Sequence, residues 1–269
     1  CALPILAIMC IGVYLFIPTK KPAEKKPTDS GHSAMAQQPK EETLAIEEYI
    51  AETNSKIADK TVREKIEQLT QAKSYKELTA EYAKLDKPLA VAYYVVKLAE
   101  KEKTAQAYIS AGDYNSMLLP TAPDNKARNF LSGNAIASYE KAVGLDSSTN
   151  NRLRLAGAYM EGSPAPMQGV SILLDIVKKD SANIDALLML GRFGIVSGQY
   201  DKAIGRLEKI LYLRPQNSEA LLLLAEAYNG KGDKNKAVEL LERCKKTVSN
   251  PEAKKEIENY IQRIKKPNG

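Results

Sequence analysis

The chain of 269 residues carries 39 Lys and Arg against 33 Asp and Glu, is 44% hydrophobic and 27% charged, and holds one His, three Cys and no Trp. The lone His32 excludes histidine triads and multi-histidine metal sites, and Cys1, Cys10 and Cys244 are too scattered for a disulfide framework or a zinc site. Few Gly and Pro beside abundant Ala, Leu, Lys and Glu point to an all-α protein that is not an enzyme and needs no cofactor.

Residues 1–18, CALPILAIMCIGVYLFIP, contain no charge. As a helix rising about 1.5 Å per residue, a run of this length spans roughly 27 Å against a hydrocarbon core of about 30 Å, which predicts a single transmembrane anchor with a few residues upstream of Cys1. A cleaved signal peptide is the competing reading, but its small-residue site, Ala34-Met35-Ala36, lies well beyond the apolar run. Residues 19–43 read as a Pro/Lys-rich linker, broken by Pro22, Pro27 and Pro39 and without apolar residues to bury. Residues 19–40, with five Lys against two acidic residues, supply half of the net charge of +6, so the folded part is nearly neutral and lacks the basic stripe of a nucleic-acid binder. Lys20, Lys21, Lys25 and Lys26 alone would hold the following domain in the cytoplasm; a basic flank before Cys1 would place it outside. The Pro/Lys/Glu spacer resembles those of proteins that reach out from a bacterial inner membrane, a resemblance that implies the periplasmic side, with the cytoplasmic side still open.

Residues 44–123 carry helical periodicity: Val62, Ile66 and Leu69, then Leu78, Tyr82 and Leu85, then Leu89, Ala92, Tyr93 and Val96. Thr53-Asn54-Ser55 and Asp86-Lys87-Pro88 are the predicted turns, and one long helix is expected from Pro88 through Ser110. Over residues 124–250 a period of 34 emerges. Ala135, Gly169, Ala203 and Ala237 form one column; Tyr139, Leu173, Leu207 and Leu241 a second; Ala142, Ile176, Ile210 and Cys244 a third. Leu153, Leu187 and Leu221 align in the other half of each unit, followed by Ala156, Leu190 and Leu224, and Gly198 and Gly232 mark turns. Small residues let paired helices approach closely, large ones fill the space between pairs, and glycine supplies the backbone freedom of a helix end. Residues 251–266 form a capping helix, with Ile257, Tyr260, Ile261 and Ile264 on its apolar stripe.

These columns resemble the tetratricopeptide-repeat (TPR) family. The clearest unit runs from Ile184 to Asn217 with Leu190-Gly191, Gly198, Tyr200, Ala203, Leu207 and Pro215; the next has Leu224-Ala225, Tyr228, Gly232, Ala237 and Leu241. Gly194 stands where the family has Tyr, and Tyr159 lies one residue more than two periods before Tyr228, which suggests an insertion in the Gly162–Pro166 turn. The first unit is expected to keep only its second helix, Asn125 to Leu145.

The resemblance implies an α-solenoid of helix hairpins, preceded by the anchor, whose first helices line a concave groove for protein or peptide partners. The residues expected in that groove are Asp185, Leu188, Arg192, Ile195, Glu219, Leu222, Glu226 and Asn229. Leu188 and Leu222 stand where chaperone-binding members of the family place basic clamp residues, so a chaperone-tail reader is not implied. The implied function is a membrane-tethered, non-catalytic scaffold or adaptor; a structural accessory subunit of a membrane complex is the alternative. Lipid meets residues 1–18, and neither nucleic acid nor a small-molecule substrate is expected as a partner.

Overall fold

The computed structural model describes residues 42–266. The expected anchor at 1–18 and nearly all of the linker lie outside the described residues, and among those described no helix is long and apolar enough to cross a membrane.

Among the described residues the regular structure is helical throughout. The helices are α1 (Ile46–Ser55), α2 (Lys60–Gln71), α3 (Tyr75–Lys84), α4 (Pro88–Glu102), α5 (Ala105–Leu118), α6 (Asn125–Leu145), α7 (Thr149–Gly162), α8 (Pro166–Lys179), α9 (Ile184–Val196), α10 (Tyr200–Leu213), α11 (Ser218–Lys231), α12 (Lys234–Thr247) and α13 (Pro251–Lys265). Consecutive helices pair as hairpins from α3/α4 to α11/α12, and α13 closes the stack against α12.

Local chemistry sets the helix starts. Asn183 and Asn217, one period apart, each accept the N–H of the residue three positions on, Ala186 at 3.1 Å and Ala220 at 2.8 Å. Asp124 and Asp233 cap α6 and α12 in the same way. Gly198 and Gly232 take φ of +73° and +97° at the ends of α9 and α11, where a side chain would be strained.

All members of the three second-helix columns that have a side chain are buried, from Ala135, Ala203 and Ala237 to Ile210 and Cys244. On the first helices Leu187, Leu190, Leu221 and Leu224 are buried and Leu153 is half-buried. A continuous apolar cluster runs from Leu187 through Leu207, Leu224 and Leu241 to Ile257, Ile261 and Ile264 of α13, so the last hairpin does not expose its apolar flank. At the other end Ile66, Leu78 and Tyr82 fill a separate cluster, with Tyr82 and Tyr94 stacked at 5.4 Å.

Four expectations need correction. The helix beginning at Pro88 stops at Glu102: Lys103 turns left-handed at φ +54°, and Thr104 caps α5 by accepting the Ala107 N–H at 3.1 Å. The charged run Glu100–Lys103 is exposed, so nothing apolar holds the helix across the break. Thr53-Asn54-Ser55 is the last turn of α1, not a loop.

The first unit does have a first helix, α5. Tyr139 packs against Gly112 as Leu207 packs against Gly191: a Cβ on Gly112 would meet the Tyr139 ring at 2.5 Å, and one on Gly191 would meet Leu207 at 2.9 Å. Gly112 precedes Tyr139 by 27 positions where Gly191 precedes Leu207 by 16: the connection is longer and α6 begins about two turns further ahead of Tyr139 than α10 does of Leu207, which hides the repeat from its own period.

The Gly162–Pro166 turn holds no insertion. Ser163–Ala165 joins α7 to α8 with three residues, as Ser197–Gln199 joins α9 to α10. Tyr159 donates to Glu140 at 2.5 Å and Tyr228 to Glu208 at 2.9 Å, the same contact made from positions one residue out of phase.

Candidate binding groove

Contacts between hairpins define an inner and an outer layer. In the C-terminal half the first helices touch one another, α7 with α9 and α9 with α11, while the second helices α8, α10 and α12 make no comparable mutual contact. A stack closer-packed on one layer than the other must bend towards the closer layer, so α7, α9 and α11 lie on the inside of the curve. Residues spaced by three or four along these helices share one face.

On α9 that face carries Asp185, Leu188, Arg192 and Ile195; on α11 it carries Glu219, Leu222, Glu226 and Asn229. Two of them were expected to be free of packing and are not. Leu188 and Ile195 are each only 9% exposed and belong to the main core cluster. Contact of α9 with both neighbours covers them, so they form a floor and not a rim. Leu222 is half-buried beside them, and Asp185 is exposed.

Arg192 is the centre of the charged set. Its Nη2 donates to Glu219 Oε1 at 2.7 Å across the α9–α11 junction. Glu226 on α11 and Glu161 on α7 are both raised above the ordinary carboxylate range by desolvation, with the Arg192 charge opposing the shift. Glu161 keeps solvent access and Glu226 is half-buried.

The inner face extends beyond the residues expected from sequence. Arg154 of α7 pairs with Asp113 of α5, which also accepts the Tyr139 hydroxyl at 2.7 Å. At the far end Tyr260 of α13 stands beside Glu226 and Asn229; burial first, then the Glu226 charge, push its hydroxyl up to about 12, against a hydrogen bond to Asn229. The Arg263 guanidinium lies 5.4 Å from the Tyr260 ring centre. Arg154 and Glu161 stand one period before Leu188 and Ile195, and Tyr260 one period after Glu226, so extending the columns by one unit each way would have found them. Cys244, in contrast, is packed core: it is buried, donates to the Ser218 carbonyl at 3.3 Å, and burial raises its thiol to about 11.

Fold and groove together define an α-solenoid of hairpins with a lined inner face. Residues 194–255, from the end of α9 to the start of α13, match the family model described as tetratricopeptide repeat. A 67-residue stretch is 40% identical to the peroxisomal targeting signal receptor of Candida albicans; it covers 25% of this chain and 11% of the receptor, so this chain spans about a tenth of that protein's length. A thermophilic TPR protein of Thermus thermophilus shares the fold at a TM-score of 0.50 and 17% identity, over 71% of this chain and 97% of that one. A MamA protein aligns at a TM-score of 0.48 and 20% identity, over 65% of this chain and 90% of the other.

Proposed function

We propose that this chain is a membrane-tethered, non-catalytic scaffold that holds a protein or peptide partner in the groove of α7, α9 and α11. The observation that carries this reading is the inner face itself, where Leu188, Ile195 and Leu222 lie among Arg192, Glu219, Glu226 and Asn229. An apolar strip with charged groups beside it gives a segment both burial and orientation. The likeness to a receptor whose name assigns it a targeting signal supports a peptide as occupant.

The tether is the uncharged run at 1–18, with the solenoid on the periplasmic side of a bacterial inner membrane. A spacer of this length reaches about 25 Å, which concentrates partners at the same membrane without any added contact. The test is a photocrosslinking residue at Asn229 in intact membranes. One captured protein, lost on Arg192→Glu, is the expected result; capture indifferent to that charge reversal would refute the groove. Deleting residues 1–18 should release the chain from the membrane fraction, and continued association would refute the tether. A captured partner that stays at fixed stoichiometry through detergent purification would favour an accessory subunit over an exchangeable adaptor.

A further inference from the structure

The charges of the groove are unevenly satisfied. Arg154 is engaged by Asp113 and Arg192 by Glu219. Glu161 and Glu226 make no ion pair among the described residues, although both stand close enough to Arg192 to feel its charge. They flank Arg192, one on the helix before it and one on the helix after it. Helices pack at about 8–10 Å, so two steps across the stack separate the carboxylates by roughly 16–20 Å. Between them lies the apolar floor of Leu188 and Ile195, with half-buried Leu222 beside it.

Resting on the groove reading above, we propose that the occupant is a basic–apolar segment of a partner protein, in which two Lys or Arg side chains meet Glu161 and Glu226 and an apolar side chain between them lies against Ile195 and Leu222. The pairing is complementary in charge and in order along the groove. An acidic segment would face two carboxylates that already resist ionisation, and the groove arginines Arg154 and Arg192 are already held by Asp113 and Glu219. A neutral apolar segment would leave both carboxylates desolvated without a partner. A basic one supplies the missing countercharge at both ends, and the two contacts fix its register.

The test uses three fluorescently labelled peptides of sixteen residues on one Ala/Leu framework. They differ only in whether the third, eighth and fourteenth positions are Lys, Gln or Glu, spacings that span the two carboxylates in either extended or helical form. Anisotropy titrations of the full chain in detergent should rank Lys over Gln over Glu. Glu161→Gln and Glu226→Gln should each weaken the Lys peptide by about fivefold, the size of one partly screened charge pair, and should leave the Gln peptide unchanged. Far-UV circular dichroism of both variants should match the parent, since neither carboxylate makes a hydrogen bond or ion pair among the described residues.

Equal binding of the Lys and Gln peptides, no binding of the Lys peptide at millimolar concentration, or a Lys preference that survives both substitutions together would overturn the inference. If the Lys preference fails while crosslinking from Asn229 persists and still depends on Arg192, only the charge assignment falls. If both fail, the groove reading falls with it.

Discussion

Gly112→Ala probes the hairpin that the period conceals. Gly112 sits inside α5, where Ala is ordinarily better than Gly by about 1 kcal/mol, so an isolated helix would gain from the change. Here the new Cβ would lie 2.5, 2.7 and 2.8 Å from three carbons of the Tyr139 ring, and ordinary contact begins near 3.4 Å. The ring must withdraw by about 1 Å, yet Tyr139 is only 4% exposed and its hydroxyl is fixed to Asp113 at 2.7 Å. Overpacking of this kind costs about 1–3 kcal/mol, and losing the hydrogen bond about 1 more. The net expectation is destabilisation by about 1–3 kcal/mol. Gly205→Ala on α10 is the matched control: no atom lies within 4 Å of its added Cβ, so it should stabilise by up to about 1 kcal/mol. Urea titration followed by circular dichroism reads both as shifts in midpoint at constant slope. If Gly112→Ala were as stable as the parent while Gly205→Ala behaved as expected, α5 would not be the close-packed first helix of that unit.

Glu81 accepts hydrogen bonds from Lys65 at 2.6 Å and Lys84 at 2.9 Å, which hold its carboxyl below the ordinary value, Lys65 first and Lys84 next. A depressed folded-state value means the contribution is complete above the unfolded value, about 4.5, and is lost as pH falls through the lower folded one. Glu81→Gln should therefore lower stability by about 1 kcal/mol at neutral pH and flatten the melting-temperature profile on the acid side, since both lysines are largely exposed; parallel profiles would count against the pair. Ile261→Ala removes a fully buried side chain of the cap and should cost about 2–4 kcal/mol, with faster amide exchange in α11 and α12 than in α7 as its signature. Asn217→Ala deletes the α11 cap and should cost about 1 kcal/mol, read as a lowered urea midpoint; no change would mean that packing alone sets that helix start.

The second helices were legible from sequence because their packing is local and periodic: Leu173, Leu207 and Leu241 recur at one interval and meet the same kind of neighbour each time. The first helix of the first unit was not, since Gly112 carries its message only once paired with Tyr139, and the longer start of α6 together with the longer turn removes that pair from register. The break at Lys103 was invisible to apolar spacing, because the signal lies in Thr104 as a cap and in the absence of anything apolar between Glu100 and Lys103. In the groove, helical spacing and the period together bring Arg192 of α9 and Glu226 of α11 to neighbouring positions. They could not show that Leu188 and Ile195 are covered, since their burial depends on how closely α9 approaches α7 and α11.

That closeness links the fold to the proposed role. Because α9 touches both α7 and α11, a side chain on α9 has carboxylates from two other helices within reach, and Arg192 feels Glu161, Glu219 and Glu226 at once. The opposite end of the stack is where the chain enters: the Leu44 N–H donates to the Lys126 carbonyl at 3.2 Å, Glu42 pairs with Lys126 at 2.8 Å, and Asn129 donates to the Glu42 carbonyl at 3.1 Å, all at the start of α6. A tether upstream of Glu42 therefore pulls on α6, while Arg192 lies two hairpins further along and α13 closes the far end. Under the tether proposed above, the spacer joins the stack with one hairpin, about 10 Å, between it and the hairpin that carries Arg192, so a pull on the spacer loads α6 and leaves the contacts among α7, α9 and α11 in place.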